Sequence, residues 1–265
     1  MTGFNRQRFE DIKDAVERSR PHMMGIGSLA EKSVHAILKN YYAPTDDDME
    51  VAVNGFVADV CYGMCIVEIQ TRQFYTMKRK LAAFLPEYDV TVVYPLPVSK
   101  TLFYIDADTG KVKTRRRSPA KRSIYELLYE MYGIRDYVGD PNLHFRIVVY
   151  EAEEYRYSGR TEKHGRKTRM LSDTVPAAVL DEICIDDNRD LMMFVPQELD
   201  DGFSTVDFAR AAGISKQLAG FCVGILKLAG IIEKSGTGPR GTYLYSIIEQ
   251  SEDQVMPRAL LPRRQ

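Results

Sequence analysis

Residues 49–70, MEVAVNGFVADVCYGMCIVEIQ, hold three β-type runs separated by tight breaks, and no other stretch restricts the fold as much. Asn54-Gly55 between two such runs is a strong hairpin signal, because the favoured two-residue turn needs positive φ at both central positions. Gly63 marks a second reversal. A meander of strands at residues 49–53, 56–62 and 64–70 is expected. Two carboxylates, Asp59 and Glu68, interrupt the apolar runs of its second and third strands. An ionised carboxylate in low-dielectric surroundings is costly unless something pairs or coordinates it, so both acids need a partner.

The rest of the chain sorts into helices and further strands. Phe9, Ile12 and Val16 recur at helical spacing and predict an amphipathic helix that ends before Pro21. A second helix opens at Ser28-Leu29-Ala30-Glu31 and turns Leu29, Val34, Ile37 and Leu38 toward a core. Residues 71–85 read as a helix stopped by Pro86, followed by β runs near 88–96 and at 100–106. A basic segment, a helix over 123–132 and an apolar strand over 143–151 come next. Strands alternating with helices in this order give an α/β class, a mixed sheet flanked by helices.

At 265 residues the chain fits two domains on the usual scale of about 150 residues each. The boundaries expected are a first domain over 1–158, a basic, Gly-containing linker over 159–175, a second domain over 176–250 and a tail over 251–265. Cys61, Cys65, Cys184 and Cys222 lie in apolar segments without a CxxC pair, which argues against a zinc site or a disulfide framework. The N-terminus has no apolar signal core, and the most apolar later run, 220–232, contains Lys227. No membrane association is expected, and a cytoplasmic location follows. The net charge of −1 gives no overall pull toward nucleic acid. Charge is uneven, however: Lys111, Lys113, Arg115, Arg116, Arg117, Lys121 and Arg122 crowd one stretch, and Arg160, Lys163, Arg166, Lys167 and Arg169 another. Local fields of this kind suit phosphate, with an affinity that weakens steeply as salt rises.

Antiparallel strands turning at Gly63 bring Asp59 and Glu68 to neighbouring ladder positions, where opposite residues sit about 5 Å apart. Alternation puts Glu68 and Gln70 on one face. Asp59, Glu68 and the carbonyl of Ile69 then offer oxygen ligands to one hard cation, Mg2+ or Mn2+. Such an ion activates water and neutralises charge on a phosphate under in-line attack.

The Asp, the gap and the strand ending Glu-x-Gln resemble the PD-(D/E)XK, or restriction-endonuclease-like, superfamily. The likeness covers roughly residues 20–106 and includes an acidic first helix, a meander and a following helix. It implies Glu31 as the helix acid, Asp59 as the motif Asp, Glu68 as the second acid and Gln70 where the family usually has Lys. In the family that Lys helps orient the attacking water and offset developing negative charge, which an amide cannot do as a cation. Lys32, Lys78 or Arg72 on adjoining helices are within reach in sequence. The same residues also have plainer roles open to them. Ser28-x-x-Glu31 is a capping box, Asp59 and Glu68 are able to pair with Arg72 and Arg79, and His35 fits a structural place one turn beyond Glu31.

Residues 204–247 read as helix, three-residue turn, helix and β-hairpin, and resemble a winged helix-turn-helix domain. The resemblance implies DNA contact by Lys216 and Gln217 at the start of the second helix and by Arg240 of the wing, with Arg115, Arg116 and Arg117 adding phosphate contacts. A metal-dependent, DNA-binding endonuclease hydrolysing phosphodiester bonds is the expectation. A non-catalytic DNA-binding regulator and a protein-interaction module, including a homodimer joined through the winged helix, are the alternatives.

Overall fold

Asn54 and Gly55 take φ of 47° and 81°, which lets β1 (Met49–Val53) reverse directly into β2 (Phe56–Tyr62) with Val53 opposite Phe56. Gly63, at φ 54°, and Met64 close the second turn into β3 (Cys65–Ile69), where Val60 faces Val67. The computed structural model that shows this describes residues 4–19, 33–106, 109–119, 122–158 and 171–248.

β3 pairs in parallel with β4 (Asp89–Asp106), and β4 in parallel with β6 (Leu143–Ser158). β7 (Leu171–Ile185) closes that side antiparallel to β6, so the seven-stranded mixed sheet runs β1-β2-β3-β4-β6-β7. β5 (Val112–Arg117) pairs with β4 alone. β6 occupies one edge of β4 for almost its full length, while β3 holds residues 89–93 and β5 holds residues 101–105 of the other edge. Val93 gives its carbonyl to the amide of Gln70 on that shared edge. Pro95 and Pro97, two and four residues further on, aim at the same edge in the gap between β3 and β5. No N–H is needed there, which is where a sheet tolerates proline.

Several expectations change. The two runs near 88–96 and 100–106 are one continuous strand with a register shift at Pro97/Ser99. Part of the basic segment, to which the sequence assigns no element, is the strand β5. The strand expected over 143–151 continues to Ser158, and residues 171–175, placed in the linker, belong to β7. Residues 176–185, assigned to the second domain, also lie in β7 and so in the first sheet. The remaining linker residues, 159–170, the last two residues of the second domain, 249–250, and the tail over 251–265 lie outside the described residues.

Helices cover both faces. On one, α1 (Arg6–Ser19) and α2 (Ser33–Tyr42) bury Phe9, Val34, Ile37 and Leu38 against Val67, Ile69, Val93 and Val148. On the other, a 3-10 turn over Phe74–Met77, α3 (Lys78–Phe84) and α4 (Glu126–Tyr132) pack Phe74, Leu81, Phe84, Leu127 and Met131 against Ile66, Val92 and Phe145. Alternation along β3 and β4 thus separates two cores, as a period-2 strand buried on both faces must.

After β7 come α5 (Thr205–Ala211), a turn with Gly213 at φ 64°, α6 (Lys216–Leu228) and an antiparallel hairpin of β8 (Ile232–Thr237) and β9 (Tyr243–Ile247). Ser204 and Asp207 form a reciprocal capping box on α5, and Ser215 caps α6 by accepting from the amide of Leu218 at 3.2 Å. This unit shares the second core. Phe221 meets Tyr129 and Tyr132 of α4, each at 5.0 Å between ring centroids, and Phe208 meets Tyr125 at 6.1 Å. Among the described residues no single helix is long and apolar enough to cross a membrane.

Candidate active site

Continuing the β2–β3 register by one step sets Asp59 opposite Glu68. The amide of Ile69 donates to Oδ2 of Asp59 at 2.8 Å, and the amide of Asp59 points at Oε1 of Glu68 at 3.4 Å. The two acids therefore converge across the ladder, near the C-terminal end of β3. His35 Nε2 of α2 lies 3.3 Å from Oδ2 of Asp59, and Lys80 Nζ of α3 donates to both oxygens of Glu68 at 3.0 and 2.7 Å. Helices from the two sides of the sheet thus each supply a nitrogen to one acid.

Environment separates the two carboxyls. Only 5% of the Glu68 side chain is exposed, against 27% of Lys80. Burial pushes Glu68 up and the charge of Asp59 adds to it, so that despite Lys80 its value rises to about 7. Burial acts on Asp59 in the same direction, but the hydrogen bond and charge of His35, the Ile69 amide and Lys80 outweigh it and hold Asp59 below its usual value. Two nearby carboxyls with values driven apart are a common mark of functional sites, although structural ion pairs shift them as well.

Of the residues expected here, the structure brings Asp59, Glu68 and Ile69 together. Glu31 lies outside the described residues, as does Lys32. Gln70 follows the end of β3, but its Nε2 donates to the carbonyl of Arg72 at 2.7 Å. Lys78 is paired with Asp136 at 2.8 Å, and Arg79 lies over the ring of Phe56. The cation beside Glu68 is Lys80, twelve positions later on a helix, where no fixed-spacing motif could point. His35, for which the sequence leaves a structural place or a substrate contact open, lies against Asp59. Among the described residues no three His, Cys, Asp or Glu side chains are grouped to hold a metal ion. The chemistry of the donor set still suits Mg2+, which keeps several waters and is usually bound through one or two carboxylates.

The surfaces expected to meet DNA are exposed. Arg115, Arg116 and Arg117 stand on β5, every residue of which is exposed. Lys216 and Gln217 open α6, and Arg240, at φ 59°, sits in the β8–β9 loop. The middle of α6 is turned to α4: a Cβ on Gly224 would come within 3.2 Å of the Tyr132 ring. Lys216 and Gln217 of the first turn lie clear of that contact and are exposed. The second basic cluster, residues 160–169, lies outside the described residues.

A family model described as a domain of unknown function, DUF8091, matches residues 32–186. That span contains the whole seven-stranded sheet and ends one residue after β7, before the C-terminal helical unit. An uncharacterized protein of Treponema pallidum (strain Nichols) is 28% identical over 151 residues, which is 57% of this chain and 60% of that protein. The chain thus matches less than two thirds of that relative's length. No solved structure matches.

Proposed function

This chain belongs to the DUF8091 family, and we propose that it is a DNA-binding, metal-dependent nuclease that hydrolyses phosphodiester bonds. We read its sheet as restriction-endonuclease-like and residues 204–247 as a winged helix. The observation that carries the proposal is the convergence of Asp59 and Glu68 across β2 and β3 with Lys80 on Glu68. The order of α2, the three-stranded meander and α3 supports it as well.

Asp59 and Glu68, with the carbonyl of Ile69, would hold Mg2+ or Mn2+. Bound there, the ion supplies Lewis-acid stabilisation of the phosphate and an acidified water. Lys80 takes the part that Gln70 cannot, because it brings a positive charge to the carboxylate pair where negative charge builds up on the substrate. His35 orients Asp59 from the opposite helix layer. Arg115, Arg116, Arg117, Lys216, Gln217 and Arg240 bear on phosphate. Four unpaired thiols support a reducing compartment, the cytoplasm.

A second reading is favoured by one feature: each acid already has a nitrogen partner, His35 or Lys80, without a metal. A non-catalytic DNA-binding regulator would have this property. The deciding experiment incubates the purified protein with plasmid, single-stranded and branched DNA, with and without Mn2+, beside Glu68→Ala. Cleavage that needs Mn2+ and disappears in the variant supports the nuclease. Equal cleavage by the variant removes it, and retention of DNA without cleavage leaves the regulator.

A further inference from the structure

The far half of the sheet is built differently from the half that holds the site. Beyond about Ser99 few residues of β4, β5, β6 and β7 are buried. Ala152 and Val175 meet the α1–α2 side, and Leu102 is buried without joining either core. Register places Phe103 opposite Arg115 of β5 on one side and Tyr155 of β6 on the other. The Phe103 and Tyr155 rings stack at 5.0 Å and 19°, and the central carbon of the Arg115 guanidinium lies over the Phe103 ring at 5.4 Å from its centroid. A column of three flat groups therefore crosses three strands and ends on Arg115, beyond which no strand follows among the described residues.

Charge on this edge is uncompensated. Among the described residues Lys113 pairs with Asp106 at 2.6 Å, but Arg115, Arg116 and Arg117 have no carboxylate partner. Arg115 and Arg117 share the Phe103 face, at a repeat of about 6.8 Å for alternate residues of a strand. That is the scale of the phosphate repeat of an extended nucleic-acid strand. Arginine planes also stack on bases.

We propose that the edge of β5, with the Arg115–Phe103–Tyr155 column, binds single-stranded DNA, phosphates on Arg115 and Arg117 and an unpaired base on the outward face of the Arg115 guanidinium. The proposal rests on the DNA-acting reading above and names the form of DNA that such a site takes. A duplex offers the basic edge its phosphates, but its bases are already stacked and leave the column nothing to meet. Unpaired bases have free π faces, and aromatic and guanidinium platforms over a basic track are the general means of holding them.

The test measures fluorescence anisotropy of a labelled dT20 and a labelled 20-base-pair duplex on the full chain in EDTA, across a salt series. EDTA separates this proposal from the nuclease reading, because binding is scored where no cleavage occurs. The wild type should prefer dT20 by about tenfold or more. Arg115→Gln with Arg117→Gln should lower the salt slope on dT20 by about 1.4, which is about 0.7 for each single-strand phosphate contact. Phe103→Leu with Tyr155→Leu keeps an apolar fill in the column and should weaken dT20 binding about tenfold, within the range for loss of one stacked base, and leave duplex binding unchanged. Equal affinity for the two probes overturns the proposal while DNA binding itself stands. Loss of thermal stability in the Leu variant with unchanged dT20 affinity also overturns it, because the column would then serve only as a cross-strand brace. Retention of neither probe overturns both this proposal and the DNA-binding reading.

Discussion

β4 and β6 lie side by side for sixteen register pairs, yet the near and far halves of this one parallel ladder obey different rules. In the near half Val90, Val92, Tyr94, Leu96, Phe145 and Ile147 are buried, and helices cover both faces. A carboxylate placed there, Glu68, loses its water and is pushed up to about 7. Beyond the shift at Pro97/Ser99 the strands carry Lys100, Asp106, Glu151, Glu153 and Arg156 on half-exposed or exposed positions, where charge is tolerated at little cost. Burial pushes the carboxyl of Glu154 up there, but Lys100 and Arg156, at 2.6 Å each, outweigh it and hold Glu154 below its usual value. Each half tunes an acid, in opposite directions: burial and the charge of Asp59 prevail at Glu68, whereas paired cations outweigh burial at Glu154.

The largest effect expected from this contrast is on stability. Phe74→Ala in the near core, where the ring is fully buried, should cost about 3–5 kcal/mol in urea unfolding, while Phe103→Ala in the far half should cost about 1 kcal/mol. Equal losses would erase the distinction. Next comes Lys80→Met, which strips Glu68 of its cation. Loss of the partner of a buried charge costs 3–5 kcal/mol at its fullest, and the partial exposure of Lys80 reduces this to about 1–2 kcal/mol at pH 8. At pH 5.5, with Glu68 protonated, the loss should nearly vanish, and pairing the change with Glu68→Gln should remove it at both values.

Acid–base linkage sharpens the same point. A carboxyl raised from 4.5 to about 7 by folding contributes stability that is complete below 4.5 and is lost as pH rises through about 7. Asp59 is lowered, so its contribution is present above its ordinary value and is lost only in stronger acid. Between pH 5 and 8 the Glu68 effect stands alone, and wild type minus Glu68→Gln stability should fall across that window. Stabilisation by Mn2+ should grow over the same range, because the ion competes with the Glu68 proton. A flat difference would place Glu68 in a more watery setting than the near half provides. The smallest effect belongs to the edge: Arg115→Gln with Arg117→Gln should shift unfolding by less than about 0.5 kcal/mol.

How much of this could be read in the sequence follows the same divide. Asn54-Gly55, the alternation in 56–69 and the capped helices at Ser204 and Ser215 carry local signals, and those elements stand where they were expected. The adjacency of Asp59 and Glu68 followed from one turn and a period of two. β5 was hidden because VKTRRR has no buried face and so no alternation to detect. β4 is expected from the sequence as two runs, near 88–96 and at 100–106; its continuity past Pro95 and Pro97 depends on a vacancy between two neighbouring strands, which no local signal shows. Lys80 and His35 reach the acids from separate layers, and such meetings are set by packing that no spacing rule encodes.

α4 has two dependants. Glu130 on it accepts from the amide of Phe74 at 3.2 Å, anchoring the turn that leads into α3 and Lys80, while its tyrosines receive Phe221 and Tyr125, just before its first residue, receives Phe208 from beyond the sheet. Cutting the chain after β7 would bare that aromatic wall to water and loosen the strut on which the lysine rides. The C-terminal third is thus a lining of the molecule rather than an appendage, and a truncated sheet is a poor stand-in for the whole.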